Sequence, residues 1–286
     1  MKPIEEQTIL VTGSTDGIGK ITARKLARMG ATVLLHGRSR EKCETTAGEI
    51  REATGNNKLK AYVRDLSSLS GVRRLAEDIR SEYSALDILI NNAGVGPGKG
   101  SFGKRPLSQD GHELCFAVNH LAPFLLTHLL LPILRNGSPA RVVNVCSAAQ
   151  QRIDFDDVML ERGYDPYRAY AQSKLALTMF TFDLAERLKY RGITANCLHP
   201  GSLLDTKMVR EGGYLPQASA ESGAEVVVHV ATSPELLDVT GQYFAEKREG
   251  RAHDQAYDAE ARDRLWRLSE NLAGIGERGN RGDRST

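Results

Sequence analysis

Tyr170 and Lys174 stand four residues apart in Tyr-Ala-Gln-Ser-Lys. On a helix that spacing stacks both side chains on one face, with roughly 5–6 Å between their Cβ atoms. The chain after Pro166 is rich in good helix formers and carries no interior Gly or Pro, which predicts such a helix. A phenol titrates near 10 and exchanges protons poorly at neutral pH. An ammonium held beside it favours the phenolate, lowers that value and makes the tyrosine a usable general acid–base. Tyr243 and Lys247 have the same spacing, so spacing alone does not choose between the pairs. Position does. Tyr170 follows Ser147, the end of an apolar strand over 141–147, by a crossover of roughly twenty residues. Tyr243 lies in a short apolar run with the look of a last strand, and Lys247 opens a polar loop, so a structural role is expected there.

The elements that must position the pair begin with an apolar, β-branched run over 8–12, which predicts a buried parallel strand. Gly13, Ser14, Asp16, Gly17, Ile18 and Gly19 follow, and then an amphipathic helix ending at Gly30. Strand, glycine loop and helix in that order bring backbone N–H groups and a helix N-terminus to where a pyrophosphate can sit. A tight turn alone would explain one glycine but not three at this spacing.

The second strand, over 31–36, ends in Gly37-Arg38-Ser39-Arg40 and not in the carboxylate that commonly holds a ribose 2′-hydroxyl. A guanidinium there can pair with a 2′-phosphate, so Arg38 favours NADP(H) over NAD(H). Asp65 and Leu66 close a third strand at the sheet's carboxyl end, where such sheets bind ligands. Asn91-Asn92-Ala93-Gly94 closes a fourth, its small residues letting the chain pass close to a cofactor. The Gly-rich loop over 95–110 is expected to be mobile. The apolar stretch over 112–134 holds Pro123, Pro132 and polar residues, and is read as a core helix, not a membrane span. Asn119 within it is either a satisfied core amide or a link in a proton path. His120 and His128 lack metal-ligand spacing and are read as structural. A sixth strand over 193–199 closes at Pro200-Gly201, and the loop after it carries Leu203, Leu204, Met208, Val209, Tyr214 and Leu215.

Composition bounds the rest. Basic residues exceed acidic ones by two, which argues against nucleic-acid binding through a basic face. The four cysteines are scattered, forming neither a zinc pattern nor a disulfide framework. With no signal-peptide core or anchor helix at the start, a soluble cytoplasmic protein is expected. There is no internal repeat or linker, so a single domain over 1–273 is expected, with a disordered tail over 274–286. The alternation of strands and helices predicts an α/β, doubly wound, mostly seven-stranded parallel sheet.

Together these motifs resemble the short-chain dehydrogenase/reductase family over almost the whole chain. Its T-G-x-x-x-G-x-G is met from Thr12 to Gly19 and its N-N-A-G from Asn91 to Gly94. The resemblance implies a Rossmann fold and a tetrad of Asn119, Ser147, Tyr170 and Lys174. It further implies cofactor contacts from Asn92, Ala93, Gly94, Tyr170, Lys174, Pro200, Gly201 and Thr206. Stretches over 118–127, 153–157 and 241–244, with Leu265-Trp266 and Ser269-Glu270, are similar to the retinol dehydrogenase-like branch. Two features depart from it: the branch's hydrophobic amino-terminal anchor is missing, and Cys146 stands where a second serine is frequent. The implied activity is hydride transfer between NADP(H) and a carbonyl or alcohol, with a lipophilic ketone or aldehyde as substrate. No metal, nucleic acid or membrane anchor is expected, and a homo-oligomer is left open. The alternatives are an NAD-dependent alcohol dehydrogenase of the same family and a non-catalytic NADP sensor, which should have lost part of the tetrad. A nucleotide-sugar epimerase would carry T-G-x-x-G-x-x-G and a separate substrate domain.

Overall fold

The computed structural model describes residues 2–97, 104–137 and 139–275. Continuous apolar runs make the central strands. β1 (Thr8–Val11), β2 (Thr32–Gly37), β4 (Ile88–Asn91) and β5 (Ala140–Val145) are almost wholly buried, as parallel strands covered on both faces must be. With β3 (Leu59–Val63), β6 (Ile193–His199), β7 (Tyr243–Ala245) and β8 (Arg248–Glu249) they form one sheet in the order β3-β2-β1-β4-β5-β6-β7-β8. Seven strands are parallel, as expected. The eighth is an addition, antiparallel to β7 and only two residues long. Glu246 turns the chain between them with φ 58°, so Lys247 belongs to a hairpin and not to an open loop.

The helices start where polar caps satisfy their free N–H groups. Asp16 caps α1 (Gly17–Arg28), Ser39 caps α2 (Arg40–Thr54) and Ser68 caps α3 (Leu69–Glu82). Helices α1 and α2, with α8 (Ala220–Thr232), cover one face of the sheet. Helix α3, with α5 (Ala122–Asn136) and α6 (Pro166–Arg187), covers the other. Helix α9 (Ala259–Ala273) packs on α6 through Leu265 and Trp266.

A short α4 (Leu114–Phe116) runs through a π-helical turn (Ala117–Leu121) into α5. Leu114–Asn136 is long and apolar enough to cross a membrane, but 78% of its most apolar window is buried inside the protein, so it is a core helix. Pro123 falls in the first turn of α5 and Pro132 lies inside it, so neither proline ends the helix. The expected mobile loop is pinned at its far end: Asp110 Oδ2 accepts from Leu69 N, and Leu107 bridges to Glu113. Its residues 98–103 lie outside the described residues. Gly274 ends α9 in the left-handed region and its carbonyl accepts from Arg73. Residues 276–286, most of the expected disordered tail, also lie outside the described residues.

Candidate active site at the carboxyl edge of the sheet

In this strand order the connections diverge between β1 and β4, which opens a crevice at their carboxyl ends, the usual ligand position in such sheets. The glycine loop lines it. Gly13 has φ 64°, and a Cβ there would lie 2.8 Å from Ala93 Cα. A Cβ on Gly19 would lie 2.3 Å from both Asn92 Nδ2 and the Gly13 carbonyl, so both positions demand glycine. Thr12 and Asn92 lock the loop to β4. Thr12 Oγ1 accepts from the N–H groups of Asn92 and Ala93, and Asn92 Nδ2 donates to the Thr12 and Gly13 carbonyls. Asp16 accepts from Gly17 N, and Thr206, which caps α7 (Lys207–Glu211), packs 3.5 Å from where a Gly17 Cβ would be. Ile18 sits in the first turn of α1. Pro200 is buried, and Gly201 has φ 126°. The Ser14 hydroxyl is engaged by the His36 backbone.

Arg38, just past β2, is exposed, and among the described residues no hydrogen bond or ion pair engages its side chain. Asp65 lines a cleft of about 300 Å³ with Arg64, Ser68, Gly71 and Gln109. Its carboxylate accepts from Ser67 N and Gln109 Nε2, while Leu66 is buried beside it.

The four tetrad candidates meet at the ends of β4 and β5. Asp165 caps α6 and Pro166 opens it, which puts Tyr170 and Lys174 on one face. Lys174 Nζ is buried, donates to the Val145 carbonyl at 2.8 Å and lies 5.8 Å from the Tyr170 ring centre. It also faces Gly94, 3.5 Å from where that residue's Cβ would be. Asn119 sits in the π turn, a feature common at functional sites. Its Oδ1 accepts from Val95 N, and its Nδ2 donates to the Val95 carbonyl and to Ser173 Oγ. Ser147 follows β5 by two residues, and its Oγ accepts from Ala149 N.

The electrostatics differ from the expectation at one point. Burial pushes the Tyr170 phenol up to about 12, and the Ser147 hydroxyl pulls the other way. Burial also lowers Lys174. The expected depression of the phenol by the ammonium is therefore absent. The enclosure that brings the two together also penalises both charged forms. At neutral pH Tyr170 is a protonated phenol.

Sequence reasoning missed what supports Ser147. The rejected tyrosine, Tyr243, is buried and donates its hydroxyl to the Ser147 carbonyl at 3.2 Å, beside Gln150 Nε2 at 2.9 Å. Nothing in sequence signals a contact across 96 positions. Lys247 instead reaches from the hairpin to Glu225 on α8. Sequence reasoning also missed the apolar wall around Tyr170, formed by Val95, Cys115, Leu160, Tyr164 and Ala169.

The loop after Gly201 packs on α8. Leu204 is buried against Gly223, and Met208 reaches across to Gly96. Tyr214 and Leu215 stay 51% and 84% exposed, too open to count as core. Among the described residues no group of three or more His, Cys, Asp or Glu is placed to hold a metal.

The comparisons agree with this geometry. Residues 7–213 match the short chain dehydrogenase family model. Human retinol dehydrogenase 13 is 40% identical over 95% of this chain and 86% of its own length. The Pseudomonas aeruginosa RhlG/NADP active-site complex superposes with a TM-score of 0.69 at 31% identity, covering 86% of this chain and 97% of that one. A short chain dehydrogenase from Escherichia coli complexed with NADPH gives a TM-score of 0.69 at 29% identity, covering 85% and 97%. With its glycine loop, its sheet order and Asn119, Ser147, Tyr170 and Lys174 at one edge, the chain belongs to the short-chain dehydrogenase/reductase family of oxidoreductases, on its retinol dehydrogenase-like side.

Proposed function

We propose that the protein is an NADP(H)-dependent oxidoreductase whose working direction is reduction of a lipophilic ketone or aldehyde. The observation that carries the chemistry is the meeting of Ser147, Tyr170 and Lys174 at the carboxyl edge of the sheet, beside the glycine loop. Tyr170 is a buried phenol beside Ser147, placed to exchange a proton with a bound substrate oxygen, and an excess of NADPH would make reduction the working direction.

The residues present fit a nicotinamide dinucleotide. The glycine loop lies too close to Ala93, Asn92 and its own Gly13 carbonyl for a Cβ at Gly13 or Gly19, which brings its backbone and the N-terminus of α1 together where a pyrophosphate can sit. Gly13, Asp16, Gly17, Ile18 and Gly19 would hold the pyrophosphate, with Thr206 closing over them. Asp65 and Leu66 would meet the adenine end, and Asn92, Ala93, Gly94, Pro200 and Gly201 would line the nicotinamide end. Arg38 supports the phosphorylated cofactor, because among the described residues nothing engages its guanidinium and no carboxylate precedes it. The cofactor, when bound, supplies the hydride.

The chain's own residues do the remainder. Ser147 hydrogen-bonds the substrate oxygen and orients it, which removes much of the entropic barrier. Tyr170 gives that oxygen its proton. Lys174, anchored on the Val145 carbonyl, holds a ribose hydroxyl. Asn119, fixed to Val95 by two hydrogen bonds, leads replacement protons in from solvent.

The wall of Val95, Leu160 and Tyr164, and the loop from Leu204 to Leu215, support an apolar substrate. So does the relative named retinol dehydrogenase 13. The cytoplasm is the setting we propose, supported by four buried cysteines that are all free thiols. The test is a panel of aldehydes, ketones and alcohols followed by absorbance of the reduced cofactor. NADPH oxidation with apolar carbonyls is expected. Turnover only with NADH, or with none of the panel, would overturn the reading.

A further inference from the structure

β2 is aliphatic until His36, which is buried at 2% exposure. Its imidazole bridges two parts of the cofactor cradle. Nδ1 lies 3.2 Å from Gly13 N, and Nε2 lies 3.0 Å from the Arg64 carbonyl. The Gly13 N–H can only donate and the carbonyl can only accept, so the two partners fix the tautomer: Nε2 carries the proton and Nδ1 is bare. Burial holds the ring neutral, lowering it to about 4 against the opposing pull of the Arg64 carbonyl and the Asp65 carboxylate.

The His36 backbone grips the same loop. Its N–H donates to Ser14 Oγ, and its carbonyl accepts from Ser14 N. On the far side of the loop Asn92 Nδ2 donates to the Gly13 carbonyl, so Gly13 is held from both sides at φ 64°. An aliphatic side chain would satisfy the burial of position 36. It would leave the Gly13 N–H and the Arg64 carbonyl without this partner.

We infer that His36 is a positioning residue for the cofactor: a neutral strut that sets the glycine loop relative to the ends of β2 and β3, which carry Arg38 and Asp65. It touches no reacting atom. The inference rests on the glycine loop holding the dinucleotide. If wild-type protein binds neither NADPH nor NADH, that reading has failed, and the variants below are not its test.

Two substitutions separate positioning from mere packing. His36→Leu removes both bonds. His36→Asn places an amide oxygen where Nδ1 can be replaced as acceptor for Gly13 N–H. Titrated by fluorescence, His36→Leu should weaken NADPH binding roughly tenfold, the effect of losing about one buried hydrogen bond. Turnover at saturating cofactor and KM for the carbonyl should stay near wild type, and His36→Asn should recover most of the affinity. Equal NADPH affinity in wild type and His36→Leu would overturn the inference, as would equal losses in both variants. Should His36→Leu not fold, NMR of nitrogen-labelled histidine in the wild type decides. A neutral Nε2–H tautomer whose Nδ1 signal moves on adding NADPH supports the strut. An Nδ1–H tautomer, or a signal indifferent to NADPH, refutes it.

Discussion

Replacing Arg38 by alanine should leave a protein that hardly distinguishes the two reduced cofactors. Arg38 is exposed, and among the described residues it is unengaged, so its loss breaks nothing in the fold. The whole effect should fall on the ligand. A 2′-phosphate carries about −1.5 to −2 charges at neutral pH, by analogy with other phosphomonoesters. A charge-assisted contact to it is worth about 1.5–3 kcal/mol, or roughly ten- to a hundredfold in affinity. Solvent exposure argues for the lower end of that range and for a gap that narrows as salt is added.

Wild type should therefore bind NADPH about tenfold more tightly than NADH, and Arg38→Ala should remove most of that gap by weakening NADPH alone. A carboxylate to favour NADH cannot be placed at Gly37, since a Cβ there would lie 2.5 Å from Thr15 Cγ2 and 2.8 Å from Cys43 Sγ. Arg38→Asp is the usable variant and should invert the preference. Fluorescence titration of both cofactors against the three proteins, at two salt concentrations, is the assay. Equal wild-type affinities, or an undiminished preference in Arg38→Ala, would mean that the phosphate is held elsewhere.

Tyr243→Phe removes the hydroxyl that donates to the Ser147 carbonyl. It should cost about 1 kcal/mol of stability in a denaturant melt, with turnover kept within roughly fivefold; a loss as large as that of a proton donor would reverse the roles given to the two tyrosines. The Tyr170 phenol is raised to about 12 from 10, so carbonyl reduction should be nearly flat across neutral pH. Alcohol oxidation, which needs the phenolate, should rise about tenfold per pH unit. The same shift adds stability that is present below the unfolded value of 10 and lost as pH climbs through about 12. Oxidation that is flat with pH would contradict the raised phenol. Across straight-chain aldehydes, kcat/KM should grow with chain length if Leu160, Tyr164 and the Met208 loop line the pocket, and a flat series would count against it.

The architecture was readable because the central strands are mostly apolar runs and most of the helices open on a polar cap, both of which are local properties. The candidate residues were readable for a related reason. Gly13, Gly19 and Asn92 are demanded by close backbone approach, and Tyr170 and Lys174 by helical spacing. What escaped depends on contacts that no local pattern encodes. The π turn at Asn119 leaves no mark in a stretch buried on nearly all sides, where apolar periodicity is lost. The sequence assigns Tyr243 a structural role without saying which, and its hold on Ser147 joins β7 to the end of β5 through folding alone. The phenol's titration was misjudged because sequence displays the neighbouring charge but not the burial that outweighs it. Nor does a glycine at position 37 reveal that the space beside it is filled by Thr15 and Cys43.

The central claim is that Tyr170 delivers the proton in carbonyl reduction, and Tyr170→Phe tests it most directly. The variant keeps the buried ring and removes only the hydroxyl. It should retain its fold by circular dichroism while NADPH-dependent turnover of an apolar aldehyde falls by roughly 10²–10⁴-fold, the range for a positioned proton donor. Turnover within a few-fold of wild type in the folded variant would contradict it.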